Sequence, residues 1–326
     1  ACNQKLFLII SFLVHIVRMS VKVKKISEPL VLGEGPHWDE SQQALFFVDI
    51  LDCCLHKYIP ATGEWTKAKI GKNAILIGFV VPVEGSKTQF IVGVEKTFKI
   101  IEWDGKANVT KDVKVLGSVD QDVDATRIND GKADPRGRIF AGTMGQDDPQ
   151  GVIAEGQGSF YRLDNDGNIK KLCSGIGISN GLAWNIQEKA MYYTDSLEHK
   201  IRKYDYNIDT GDISNMKYIF DFKKAGVEGA PDGTTIDTDG NLWIAVFNGS
   251  CVIKIDPRTG TLLQKVPIPA LQVTSVIFGG PNYDVLFVTS ANINVEGKQQ
   301  PPSAGCTFMV TGLGVKGLPG YNFRLK

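Results

Sequence analysis

Beyond the first 18 residues, short runs of large apolar and β-branched residues alternate with turns rich in Gly, Asn and Asp. Amphipathic helical periodicity is rare, so the pattern predicts an all-β chain. Six of the runs share one design, in which large apolar residues end on a small or polar one, and they recur roughly every 50 residues, the period of propeller blades. They are Leu45–Ile50, Gln89–Val94, Arg138–Thr143, Ala190–Asp195, Asn241–Val246 and Asp284–Thr289.

The flanks of these runs repeat as well. A strand followed by a tight turn occurs at Lys57–Gly63, Lys203–Gly211 and Lys254–Gly260, and the Thr-Gly and Asp-Gly pairs suit hairpins that need positive backbone angles. Each repeat therefore predicts a four-stranded antiparallel sheet, and six such sheets packed radially bury both faces of each one. We predict a six-bladed β-propeller forming a single domain over residues 19–326. A pair of β-sandwiches would not explain the period. The predicted blades begin near Glu34, Gly78, Ile128, Ser179, Pro231 and Thr274.

Residues 1–18 form an apolar N-terminal extension around the run Leu6–Val17. The run is too short for a transmembrane helix and has the length of a signal-peptide core, although Met19 directly after it is an equally good start. We therefore expect a cytoplasmic protein, or a secreted one if residues 1–18 act as a signal peptide. We expect the remainder to contain no membrane span.

Charge and cysteine content narrow the choice of partners. The chain has 36 basic and 36 acidic residues and no net charge, so no basic field is available for nucleic acid. The six cysteines form no CxxC pairs, which favours reduced, mostly buried thiols over a disulfide framework. We expect a monomer whose partner is a small molecule.

Four predicted blades place an oxygen-bearing side chain beside glycine where the innermost strand should begin: Glu34, Asn129, Asn180 and Asp232. Any one such pair is as well explained as a turn, but four at matching phase should converge on the central channel. Carboxylate and amide oxygens favour Ca²⁺, Mg²⁺ or Mn²⁺, whereas zinc prefers His and Cys. The pattern predicts one central metal site.

Arg127 lies two residues before Asn129, so on a strand both side chains should face the same cavity, where a guanidinium can hold a substrate oxyanion. A surface salt bridge is an equally good explanation. Residues 145–156 form a long polar loop, and Asp147 or Asp148 in it could touch a substrate. The chain contains no GxSxG elbow, and neither Cys173 nor Cys251 has a histidine close to it in sequence, which favours metal-assisted attack by water over covalent catalysis.

At these residues the chain resembles the senescence marker protein, or regucalcin, family, which includes gluconolactonases. The resemblance runs from about residue 21 to the end, and it rests on Leu32–Trp38, Arg127–Lys132, Gly137–Met144, Ile178–Leu182, Pro231–Gly233 and Thr311–Gly317.

The resemblance implies a six-bladed propeller that binds one divalent cation through Glu34, Asn180 and Asp232. It moves Asn129 to the substrate contacts, with Arg127 and Asp147. Asp147 is one methylene shorter than the family's usual Glu. We expect Ca²⁺, with Mg²⁺, Mn²⁺ or Zn²⁺ as alternatives, and Asp232 as the catalytic base.

Within the family the chain most resembles the luciferin-regenerating branch. That resemblance implies metal-dependent conversion of oxyluciferin to 2-cyano-6-hydroxybenzothiazole, which condenses with D-cysteine to re-form luciferin. The alternatives are a gluconolactonase-type lactone hydrolase and a non-catalytic calcium-binding propeller.

Overall fold

The computed structural model describes residues 20–146, 153–294 and 299–326. Within these ranges the chain forms six four-stranded antiparallel sheets arranged as the blades of a propeller, which confirms the predicted fold. The apolar extension, including Leu6–Val17, lies outside the described residues. In the described ranges no helix is long and apolar enough to cross a bilayer.

Five blades follow the chain from the innermost strand to the outermost. Blade 1 contains β2 (Gly33–Asp39), β3 (Ala44–Asp49), β4 (Cys54–Ile59) and β5 (Glu64–Lys69). Blade 2 contains β6 (Ile77–Pro82), β7 (Gln89–Val94), β8 (Thr97–Glu102) and β9 (Lys111–Ser118). Blade 3 contains β10 (Thr126–Ala133), β11 (Ile139–Gly145), β12 (Gly158–Leu163) and β13 (Ile169–Ile176). Blade 4 contains β14 (Ser179–Asn185), β15 (Ala190–Asp195), β16 (Lys200–Tyr206) and β17 (Ile213–Asp221), with a 3₁₀ turn at Ser196–Glu198. Blade 5 contains β18 (Ala230–Ile236), β19 (Leu242–Phe247), β20 (Cys251–Asp256) and β21 (Thr261–Pro267).

The six recurrent apolar runs overlap the second strand of each blade, and the predicted blade starts fall in the innermost strands.

Blade 6 is assembled from both ends of the described chain. Its inner strands are β22 (Gln272–Gly279), β23 (Val285–Ala291) and β24 (Phe308–Thr311), and its outermost strand is the early β1 (Lys22–Lys25). Strands β1 and β24 pair in register from Lys22 opposite Thr311 to Lys25 opposite Phe308. This pairing closes the ring and covers an edge that would otherwise be open to other chains. The repeat pattern did not reveal it, because β1 is short and mostly charged.

The hydrophobic core is divided among the junctions between blades. Six clusters of buried side chains in the described ranges each join two neighbouring blades, and blade 6 joins blade 1 through stacking of Trp38 on Phe287 at 5.3 Å between ring centroids. Because each blade supplies apolar side chains from both faces, no blade buries its surface alone, and the ring is the stable unit.

The C-terminal segment after β24 crosses the end of the ring where the innermost strands finish. It hydrogen-bonds to blades 5, 2 and 3 in turn, as Leu318 donates to Ile236, Phe323 to Pro82 and Arg324 to Gly137. We call residues 312–326 the C-terminal strap. It covers the channel at the end opposite the predicted site.

Candidate functional site

The innermost strands bring Glu34, Asn129, Asn180 and Asp232 to one end of the central channel, and all four side chains are buried. Each lies at or beside an irregularity in its strand's pairing, and the six innermost strands all break register at the equivalent position. A bulge bends a strand and redirects a side chain, and bulges are frequent beside active sites. The shared irregularity therefore explains why residues far apart in sequence meet here.

The glycines beside these residues serve close packing. A Cβ on Gly181 would lie 2.2 Å from Thr234 Oγ1, and one on Gly233 would lie 1.9 Å from Ser275 Oγ. Neither glycine has a positive φ. The alternative explanation of Asn180-Gly181 and Asp232-Gly233 as turns is wrong, because both pairs lie inside innermost strands that approach the next blade closely.

Three acidic side chains converge at this end of the channel: Glu34, Asp130 and Asp232. Burial and the nearby Asp130 raise the pKa of Glu34 to about 8, and burial with the charges of Glu34 and Asp130 raises the pKa of Asp232 well above its usual range. Burial also raises the pKa of Asp130. Without a cation, the charged forms of these groups are disfavoured both by desolvation and by one another. Sequence analysis overlooked Asp130, although it belongs to the quoted Asn129-Asp130-Gly131 run.

An amide network lies beside the carboxylates. Arg127 Nη1 donates to Asn129 Oδ1 at 2.7 Å, and Asn129 Nδ2 donates to Asn180 Oδ1 at 3.1 Å. Asn180 Nδ2 donates in turn to Ser196 Oγ at 2.9 Å, and Ser196 donates to the Pro231 carbonyl at 2.6 Å. The network runs from blade 3 to the residue before Asp232 in blade 5, so it fixes the orientation of each amide. Arg127 contacts Asn129, so its guanidinium lies beside the amide network.

Lys132 is a half-buried charge near the carboxylates that sequence analysis did not single out. Its Nζ donates to the Leu182 carbonyl at 3.3 Å and to the Thr234 carbonyl. Burial lowers the pKa of Lys132, while Asp130 and Glu34 raise it. Its position three residues after Asn129 on β10 carried no signal by itself, because a lysine on a strand is usually solvent-exposed.

The donors fit a hard divalent cation. Asp232 Oδ1 and Asp130 Oδ2 are buried and have no hydrogen-bond partner, which is costly for a carboxylate unless a cation satisfies it. In the described ranges no three His, Cys, Asp or Glu side chains are grouped so that they could hold a metal by themselves. A cation here therefore depends also on amide oxygen and water, which suits Ca²⁺ better than Zn²⁺.

The remaining predictions concern a polar loop, the cysteines and His37. Asp147 falls outside the described residues, as does Asp148. The five cysteines within the described ranges are free thiols, as predicted, and burial raises the pKa of Cys53 to about 11. His37 is buried toward the C-terminal strap, where its Nε2 lies 3.1 Å from Asn322 Oδ1, and burial lowers its pKa to about 4.

The sequence and the fold both match known proteins. Residues 32–292 match the family model described as the SMP-30/Gluconolactonase/LRE-like region. The chain belongs to this family. It is 38% identical to regucalcin of Danio rerio over 93% of this chain and 99% of that protein, and 37% identical to regucalcin of Homo sapiens over the same shares.

Two solved structures share the fold. A luciferin-regenerating enzyme is 41% identical and superposes with a TM-score of 0.88, covering 94% of this chain and 100% of that one. A calcium-binding protein, regucalcin from Agrobacterium tumefaciens, shares the fold at 24% identity, with a TM-score of 0.80 over 92% of this chain and 97% of that one.

Proposed function

We propose that this protein is a divalent-cation-dependent hydrolase of small carbonyl compounds, and that Glu34, Asn180 and Asp232 hold one cation, Ca²⁺ in the first place. The observation that carries the proposal is Asp232 Oδ1, a buried carboxylate oxygen without a hydrogen-bond partner beside the acidic Glu34. A cation bound there would polarise a substrate carbonyl and lower the pKa of a water molecule.

The protein's own residues supply the rest of the chemistry. Asp232 faces the cation position through Oδ1, so we assign it as the general base, with its other carboxylate oxygen, Oδ2, accepting a proton from water. Asn129 donates to Asn180 and to the Ser179 carbonyl and accepts from Arg127, so its Oδ1 keeps one lone pair for a substrate donor. Arg127 donates to the substrate oxygen on which negative charge develops. Both groups are held before substrate arrives, so little reorganisation accompanies the reaction.

For the substrate we propose oxyluciferin, which with one water gives 2-cyano-6-hydroxybenzothiazole and thioglycolate. Water adds to the thiazolone carbonyl and the acyl C–N bond breaks, and cleavage of the C–S bond then releases thioglycolate and leaves the nitrile. Support comes from the 41% identity to a luciferin-regenerating enzyme over 94% of this chain. A sugar-type lactone is the second candidate, because the matched family includes gluconolactonases. A non-catalytic calcium-binding protein is the third, because one relative of the same fold is described as calcium-binding.

One experiment separates the three candidates. The protein is treated with a chelator, Ca²⁺, Mg²⁺, Mn²⁺ and Zn²⁺ are added back one at a time, and turnover of oxyluciferin and of D-glucono-δ-lactone is measured. We expect no turnover after chelation and recovery with Ca²⁺. Turnover of gluconolactone alone would favour the lactonase, and tight Ca²⁺ binding without turnover of either compound would favour the calcium-binding protein.

Asp232→Ala tests the assigned base, with Asp239→Ala as its control. Asp239 is exposed on the same blade at the opposite end of the strand. We expect Asp232→Ala to fold but to lose activity by a factor of at least about 10³, the scale of general-base catalysis together with impaired cation binding. Asp239→Ala should retain full activity. Full activity in Asp232→Ala would refute the mechanism.

A further inference from the structure

Three large apolar side chains are exposed at the same end of the ring as the candidate site, two on blade 1 and one on the connection from blade 1 to blade 2. The exposed fractions are 44% for Val31, 47% for Leu51 and 70% for Ile75. Val31 lies two residues before β2, Leu51 two residues after β3, and Ile75 two residues before β6. In each blade the innermost strand starts, and the second strand finishes, at the site end of the ring. Val31, Leu51 and Ile75 therefore belong to connections at that end.

These connections are joined to one another. Asp49 accepts hydrogen bonds from the backbone amides of Val31 at 2.9 Å and Leu32 at 3.0 Å, and Ile50 donates to the Leu32 carbonyl at 2.9 Å. The connection that carries Ile75 is anchored at its start, where Ile70 donates to the Cys53 carbonyl at 3.1 Å. The three side chains therefore lie on a fixed framework, and we call them the apolar rim.

A fourth exposed apolar residue lies on blade 4, across the ring from blade 1. Leu197 is 38% exposed and directly follows Ser196, the residue that accepts a hydrogen bond from Asn180. It sits against Gly177, where an added Cβ would come within 2.7 Å of Leu197 Cδ1. Glu34 and Asn180 come from blades 1 and 4, so exposed apolar side chains occur at the site end of both of these blades.

The opposite end of the ring has a different arrangement. There the C-terminal strap covers the channel, and Phe323 within it is fully buried. Leaving large apolar side chains exposed at the site end forgoes the stabilisation that their burial would give. A group of them on rigid connections marks a binding surface, whereas single exposed apolar residues need no explanation.

A polyhydroxylated sugar would gain little from such a surface, because its hydroxyl groups would lose water without finding donors or acceptors.

We infer that the apolar rim of Val31, Leu51 and Ile75, with Leu197 opposite, selects substrates with a hydrophobic ring system over polyhydroxylated lactones. The inference rests on the proposed function for the position of the reacting carbonyl, and it deepens that function by naming the residues that set specificity. The substrate's ring lies on the rim while its carbonyl points into the channel toward Arg127 and Asp232.

The test compares two lactones that undergo the same ring-opening hydrolysis but differ in polarity, dihydrocoumarin and D-glucono-δ-lactone. Ile75→Ser and Leu51→Ser are each assayed beside Ile186→Ser, a 46%-exposed isoleucine that follows β14 at the opposite end. We expect each rim variant to raise KM for dihydrocoumarin by about tenfold at nearly constant kcat, because the lost apolar contact is worth about 1.4 kcal/mol in ground and transition states alike. Turnover of gluconolactone should change by less than twofold, and Ile186→Ser should change neither.

A binding measurement keeps the inference testable if turnover is absent. The ring-opened products, 3-(2-hydroxyphenyl)propanoate and gluconate, are titrated by calorimetry into Ca²⁺-loaded wild type, Ile75→Ser and Ile186→Ser. Tighter binding of the aromatic acid that is lost in Ile75→Ser alone would support the rim, even if no hydrolysis is seen and the proposed function fails. Equal binding of the two acids, or equal effects of Ile75→Ser and Ile186→Ser, would overturn the inference.

Discussion

Asn129 Nδ2 donates to Asn180 Oδ1 at 3.1 Å, which joins a proposed substrate contact on blade 3 to a proposed cation ligand on blade 4. The bond determines which end of the Asn180 amide faces Asn129, since Asn180 Nδ2 is already directed to Ser196 Oγ at 2.9 Å. Asn180 Oδ1 keeps one further lone pair for a cation. Substrate positioning and cation binding thus share one hydrogen-bond network.

Ser196→Ala should weaken cation binding although Ser196 is not a proposed ligand. The hydroxyl accepts from Asn180 and donates to the Pro231 carbonyl, so its loss frees the Asn180 amide to rotate and leaves a buried carbonyl without its donor. Removal of such a supporting group typically costs 10- to 100-fold in metal affinity, and we expect about tenfold. Calorimetric titration with Ca²⁺ measures the effect. Ser41→Ala, at the opposite end of blade 1, is the control and should bind Ca²⁺ as the wild type does.

The stability of the cation-free protein should fall as the pH rises from 6.5 to 8. Burial raises the pKa of Glu34 from 4.5 to about 8, so the folded protein holds this proton more tightly than the unfolded chain does. Stability linked to that proton is complete below the unfolded pKa and is lost as the pH rises through the folded one. Asp232 acts in the same direction, with Asp130, Lys132 and Arg127 as the neighbouring charges.

The measurement is the melting temperature in chelator between pH 6.5 and 8. Buried His37 and His56, whose pKa values are lowered to about 4 and about 3, produce the opposite slope below about pH 6.5, so that range is avoided. Saturating Ca²⁺ should remove the decline, because it favours the ionised carboxylates, and Glu34→Gln should reduce it. A cation-free protein with the same melting temperature across this range would contradict the prediction.

Lys132→Met should shift the cation preference toward trivalent ions. Glu34, Asp130 and Asp232 carry three negative charges when ionised, and a charged Lys132 with one divalent cation balances them. The variant keeps a side chain of similar length but removes the charge and the donor to the Leu182 and Thr234 carbonyls. We expect a loss of about 1–3 kcal/mol in the free energy of unfolding and a rise of at least about tenfold in the Tb³⁺-to-Ca²⁺ affinity ratio. An unchanged ratio in competition titrations would show that Lys132 does not contribute to the charge balance.

The fold was predictable because each blade repeats one apolar pattern, and the phase of Glu34, Asn129, Asn180 and Asp232 within that pattern predicted that they lie at one end of the channel. Two features could not be predicted in this way. Asp130 points into the site only because β10 breaks register between Ile128 and Gly131, and strict alternation on a regular strand would place it away from Asn129. Ring closure depends on the pairing of β1 with β24, and such long-range pairing leaves no local periodicity in four mostly charged residues.

The C-terminal strap should contribute more to stability than its irregular backbone suggests. Phe323 is fully buried in the core between blades 2 and 3, its amide donates to the Pro82 carbonyl at 2.9 Å, and its carbonyl accepts from Glu84 at 2.7 Å. Phe323→Ala should lower the free energy of unfolding by about 3–5 kcal/mol through the cavity that it leaves.

Arg324→Ala is the control, because it removes only an exposed ion pair with Glu84 and should cost less than about 1 kcal/mol. Denaturant unfolding of both variants measures the difference, while Ca²⁺ affinity at the opposite end of the channel should remain within about twofold of the wild type in each. A loss below about 1 kcal/mol for Phe323→Ala would mean that the strap lies on the ring without stabilising it.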